Sequence, residues 1–103
     1  MNIPLDEEGF LQNLDDWNRH TATWLAGKEG VTLGAHHFEV LELLREYYAD
    51  TQVSPAMRVF VKIVRKKLGA QAGSSIYLMQ LFGESPAKTA AKWAGLPRPT
   101  NCL

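Results

Sequence analysis

Apolar residues recur every three or four positions through most of this chain, and the recurrence breaks at capping residues, glycines and prolines. Asp15 or Asp16 stands where it can cap a first helix carrying Trp17, Ala22, Trp24 and Leu25, with Gly27 and Gly30 as its stop. A second helix is predicted from about Ala35 to Asp50. Its stripe is Phe38, Leu41, Leu44 and Tyr48, widened by Val40, Leu43 and Tyr47. Ser54-Pro55 reads as an N-cap followed by proline at the first helical position. The helix it opens buries Met57, Phe60, Val61, Val64 and Leu68 and ends at Gly69. Ser74 or Ser75 opens a short fourth helix through Tyr77, Leu78, Leu81 and Phe82. Ser85-Pro86 repeats the cap-and-proline signal for a fifth, which runs through Lys92 and Trp93 and closes at Gly95. Ahead of the helices, Ile3 to Leu5 and Phe10 to Leu11 have weak strand character around a Glu8-Gly9 turn. The pattern predicts an all-α fold: a small orthogonal five-helix bundle with a short N-terminal extended or hairpin segment.

Past Gly95 the helical pattern ends. Pro97 and Pro99 forbid a helix and disfavour a central strand, because each lacks an N–H and fixes φ. The chain therefore divides into a helical domain, 1–95, and a flexible, extended C-terminal arm, 96–103. The only cysteine, Cys102, is the next-to-last residue of that arm. Seven residues from Gly95 carry its sulfur roughly 20 Å outward at about 3.3 Å per residue. A single mobile thiol suits chemistry done inside a partner's pocket. The plain alternative is an incidental surface cysteine near a chain end.

Length and composition bound the class. At 103 residues the chain is one domain, and a lone cysteine excludes a disulfide framework within it. A reducing cytoplasm fits an exposed thiol best. The N-terminus, with Asp6, Glu7 and Glu8, does not resemble a secretory leader, and no apolar run approaches the ~18 residues of a membrane span. The expected location is cytoplasmic, with no membrane partner. The zero net charge hides a split: residues 1–50 hold ten acids and three bases, and residues 51–103 hold eight bases and Glu84 alone. Either an electropositive face serves an acidic partner or RNA, or the two halves neutralise each other across the fold.

Other chemistries find little support. A zinc site would draw on His20, His36, His37 and the remote Cys102, but adjacent helical histidines point about 100° apart and form no clamp. His37 is read as a structural or capping histidine, and no metal or other cofactor is expected. No glycine-rich phosphate loop is present. The rival from another class is a helix-turn-helix nucleic-acid regulator built on the second and third helices. Of the residues opening the third helix, only Arg58 suits base reading.

Asp6-Glu7-Glu8-Gly9-Phe10-Leu11 with Trp17, Leu44-Arg45-Glu46-Tyr47-Tyr48, Ser54-Pro55-Ala56-Met57-Arg58, Tyr77-Leu78 with Leu81-Phe82, Pro86-Ala87-Lys88, and Ala94-Gly95-Leu96-Pro97-Arg98-Pro99 with Cys102 follow one another in order. In these motifs the chain resembles the DsrC/TusE family of sulfur-carrier proteins. The resemblance implies a sulfurtransferase whose catalytic residue is Cys102, which takes a sulfane sulfur as a persulfide and passes it on. In the TusE branch the donor is a partner sulfurtransferase complex and the acceptor is the enzyme that thiolates the wobble uridine of tRNA, so that RNA is met indirectly. The DsrC branch serves sulfite-reductase-like machinery and carries a second cysteine eleven residues earlier, where this chain has Ala91. The TusE-like role is therefore expected, with the DsrC-like partner role as its alternative. Arg58, Lys62, Lys88, Lys92 and Arg98 are the candidate partner-binding residues. Phe38 stands where the family has tryptophan, and Gly34 where it has a capping Ser or Thr.

Overall fold

The computed structural model describes residues 1–100, and its five helices follow the apolar pattern. They are α1 (Arg19–Gly27), α2 (Ala35–Thr51), α3 (Met57–Leu68), α4 (Ser75–Phe82) and α5 (Pro86–Trp93). α5 packs against each of the other four. Its composition allows this: Ala90 and Ala91 present almost no bulk, so neighbouring helices close in, while Trp93 fills the centre at 1% exposure. Around it lie Leu25, Val40, Leu41, Leu44, Phe60, Val64, Leu78 and Phe82. Each large apolar side chain so buried contributes about 1.5–3 kcal/mol relative to exposure.

Helix bodies match expectation; several starts do not. Asn18, not an aspartate, caps α1 through its side chain, which accepts from the Thr21 N–H. Asp15 and Asp16 lie in a 3-10 turn, Leu14–Asp16, capped in turn by Asn13. Trp17 is left outside the helix because its indole N–H reaches the Trp93 carbonyl at 2.8 Å. α3 begins at Met57 behind Ala56, with no side-chain cap. The expected cap, Ser54, is buried and turns its hydroxyl elsewhere. Ser74 caps α4, and Pro86 opens α5 while Ser85 makes no capping bond.

At Gly34 no side chain caps α2, and the bond made there comes from within the helix. His37 Nδ1 accepts from the Gly34 N–H at 3.1 Å, and its Nε2–H meets the Leu81 carbonyl at 3.0 Å. Both ring nitrogens are thus engaged, and His37 is a structural histidine tying α2 to α4. Among the described residues the N-terminal segment forms a single antiparallel bridge, Leu5 to Leu11, rather than paired strands. Asp6 closes its turn: its carboxylate accepts from the N–H groups of Glu8 and Phe10, and Gly9 takes φ +91°. Donation from Phe10 is the largest effect holding the Asp6 carboxyl below the ordinary aspartate range, with smaller help from Glu8, Gly9 and Arg98.

Candidate functional site

The end of α5 sets where the arm begins. Gly95 adopts φ +72°, and the Leu96 N–H bonds back to the Ala91 carbonyl at 2.9 Å, a left-handed helix stop that sends Leu96 into the core at 1% exposure. Glycine is also required there for space. A Cβ at position 95 would lie 2.6 Å from Trp17 Cδ1 and 2.8 Å from Leu11 Cδ1.

The carbonyls of this helix end are taken by side chains. Arg45 of α2 donates to Ala94 O at 2.8 Å and to Leu14 O at 3.3 Å, with its guanidinium 4.5 Å from the centre of the Trp17 ring. Burial draws the Arg45 pKa down from the ordinary guanidinium range, with Asp15 opposing; the group remains a cation at any physiological pH. Trp17 adds its own bond to Trp93 O. Sequence reasoning missed both roles. The signal available was a lone arginine set among Leu43, Leu44, Tyr47 and Tyr48.

Beyond Leu96 the chain stays on the body. The Ser54 hydroxyl donates to the Pro97 carbonyl at 2.6 Å, Arg98 pairs with Glu8, and Pro99 is buried. Leu96 to Pro99, expected as the first part of a free arm, are held against the globule. Cys102, with Asn101 and Leu103, lies outside the described residues.

The five candidate partner-binding residues do not form one patch. Lys88 and Arg98 converge on Glu8, Lys88 at 3.2 Å. Lys92 reaches Glu29 at 3.3 Å and lies over the Phe10 ring. For these three the split in charge is resolved by pairing between the halves of the chain. Arg58 and Lys62 stand exposed on α3, and no ion pair among the described residues involves them. Among the described residues no group of three or more His, Cys, Asp or Glu side chains is placed to hold a metal, and no helix is long and apolar enough to cross a membrane.

Residues 1–103 match the family described as DsrC like protein. The chain belongs to the DsrC-like family. The sulfurtransferase TusE of Photorhabdus laumondii is 44% identical over 101 residues, covering 98% of this chain and 91% of the relative. The sulfurtransferase TusE of Buchnera aphidicola is 39% identical over 102 residues, covering 99% and 90%. Among solved structures, the NMR structure of DsrC from Allochromatium vinosum matches with a TM-score of 0.89 at 46% identity, covering 98% of this chain and 90% of that one. The oxidised DsrC γ-subunit of dissimilatory sulfite reductase from Archaeoglobus fulgidus matches with a TM-score of 0.84 at 34% identity, covering 98% and 92%. The described residues nearest in sequence to Cys102 are those that follow Gly95, through Thr100.

Proposed function

We propose that this chain is a sulfurtransferase of the relay type, in which Cys102 accepts a sulfane sulfur as a persulfide and surrenders it to a partner, for 2-thiouridine formation at the tRNA wobble position. The observation that carries this reading is the place of the only cysteine: three residues past a stem fixed to the globule, in a family whose curated relatives bear the name sulfurtransferase TusE. The donor is then a partner sulfurtransferase complex and the acceptor a tRNA-thiolating enzyme, with tRNA met through the acceptor.

The transfer balances without an external oxidant. The Cys102 thiolate attacks the outer sulfur of a donor persulfide; the new S–S bond forms as the donor's S–S bond breaks and its thiolate leaves. In the second half, an acceptor thiolate attacks the outer sulfur on Cys102, which departs as thiolate. A free thiol ionises near pH 8.5, so only a few per cent is thiolate at neutrality. Arg98, the nearest cation in sequence, is already engaged by Glu8. Activation of the thiol therefore falls to the partner's pocket, and this chain contributes delivery. Ala91, at 1% exposure, offers no second sulfur, so the cargo waits for an intermolecular thiol.

The likeness to Allochromatium vinosum DsrC supports a second reading, in which the acceptor belongs to sulfite-reductase-like machinery. One experiment tests both. The protein is incubated with a cysteine desulfurase, relay proteins and cysteine, then weighed intact. The carrier reading expects a gain of one sulfur atom, absent in Cys102→Ser. Offering the loaded protein to a tRNA-thiolating enzyme and to a sulfite reductase separates the two acceptors. A chain that gains no sulfur, or gains it equally with serine at 102, overturns the carrier reading.

A further inference from the structure

The arm is fixed at its root by groups from two distant parts of the chain. The carbonyl of Pro97 receives the buried Ser54 hydroxyl from the α2–α3 connection, and the Arg98 guanidinium meets Glu8 in the N-terminal turn. Glu8 is held in place by its own surroundings. Its N–H is bound to the Asp6 carboxylate at 2.8 Å, and Lys88 of α5 approaches its carboxylate at 3.2 Å. These contacts are not needed to end α5, because Gly95, Leu96 and Arg45 do that already. Capping Ser54 would have been the cheaper local use of its hydroxyl at a helix start; its engagement with Pro97 leaves α3 without a side-chain cap. The stem is thus held twice over beyond what the fold requires.

From this we infer that Glu8 and Ser54 are positioning residues for sulfur transfer: they clamp the arm at Arg98 and Pro97, so that the reach available to Cys102 is counted from Pro99 and not from Leu96. The inference rests on the carrier reading above. Three residues separate Pro99 from Cys102. Covalent geometry then limits the reach of the thiol to about 10 Å from Pro99, against roughly 20 Å for an arm free beyond Leu96. Donor and acceptor proteins must consequently bring their reactive thiols to the surface bounded by the Asp6–Gly9 turn and the α2–α3 connection. The gain is a higher effective concentration of the sulfur at that surface, since fewer arm conformations are sampled there.

The test removes the clamp and reads both motion and transfer. In the parent protein, 15N relaxation should report ordered amides at Leu96 and Arg98. In the Glu8→Gln/Ser54→Ala double variant, Arg98 should become mobile on the nanosecond scale, while Leu96, held by the core, stays ordered. Transfer from the loaded variant should then show a KM for the carrier raised about threefold to tenfold with kcat little changed. Alkylation of Cys102 by iodoacetamide should keep its rate, because the thiol itself is untouched. Glu8→Lys, which leaves Ser54 in place, should give part of the loosening, and adding Lys88→Glu and Arg98→Glu should restore the parent behaviour by re-forming both pairs in reverse. An Arg98 amide equally ordered with both contacts removed, or an unmoved KM, overturns the inference. A parent protein that never takes up sulfur overturns the carrier reading and the positioning role with it, a failure told apart because the relaxation results then stand unchanged.

Discussion

Gly95 and Asp6 illustrate how single residues hold the two ends of the stem. Any side chain at position 95 meets Trp17 and Leu11 within 3 Å while strained at φ +72°. Gly95→Ala is expected to cost about 2–4 kcal/mol, the sum of a left-handed conformation and overpacking. For a domain of this size, each kcal/mol lowers Tm by about 4–8 °C, so calorimetry should find a drop of about 8 °C or more. Asp6 makes a pH-dependent contribution. Its folded-state pKa lies below the unfolded value, so the stability it confers is fully present above the ordinary aspartate range. It fades as pH falls through the depressed folded value. Protection of the Glu8 and Phe10 amides, measured against the unstructured exchange rate at each pH, should therefore fall in acid, below about pH 4, and Asp6→Asn should show reduced protection already at neutral pH with that acid step diminished.

At the scale of elements, the apolar periodicity was a reliable guide to helix bodies and a poor one to their starts. α2 and α4 lie close to where Phe38, Leu41, Leu44, Leu78 and Phe82 place them, because burying those faces dominates the local energetics. The starts of α1 and α3 shifted because tertiary partners took residues that local rules reserve for caps. Trp17 went to Trp93, and Ser54 went to Pro97. A capping side chain and a long-range hydrogen bond each offer about 1 kcal/mol, so the cost of leaving a buried polar group unpaired, about 1–3 kcal/mol, decides between them. No local pattern signals such a partner. The same limit hid Arg45, whose contacts with Ala94 and Leu14 join positions 49 and 31 residues away. Arg45→Met should keep the hydrophobic packing yet leave those carbonyls short of a donor, destabilising by about 1–3 kcal/mol. Arg45→Lys should recover only part of this, since an ammonium cannot span both oxygens and stack on Trp17; urea unfolding of the three proteins checks the order. α3 differs from α5 in carrying cations with no acidic partner among the described residues. If that face guides the partner, Arg58→Glu with Lys62→Glu should slow association about tenfold at low ionic strength, with the difference shrinking in high salt by stopped-flow measurement.

For the whole molecule, the family and the class of fold were both present in the order of residues. What the sequence alone did not contain was the way opposite charges in the two halves meet. Glu8 and Glu29, from the acidic half, collect Lys88, Arg98 and Lys92 from the basic half. Of the two alternatives, a positive face or mutual neutralisation, pairing accounts for Lys88, Lys92 and Arg98. Exposed cations without an ion pair among the described residues stand on α3, and Leu96 to Pro99 lie against the globule. Under the proposed carrier role, the described globule offers a stem, Leu96 to Pro99, from which one sulfur would be delivered to a partner. The most direct measurement is a chase. The protein is loaded with radiolabelled sulfur from a persulfide donor, freed of that donor, and mixed with excess acceptor enzyme in a single turnover. The account predicts that the label sits on Cys102 at the start and leaves it for the acceptor without free sulfide as an intermediate. Label that never resides on Cys102, or that reaches the acceptor at the same rate when Cys102 is replaced by serine, would contradict it.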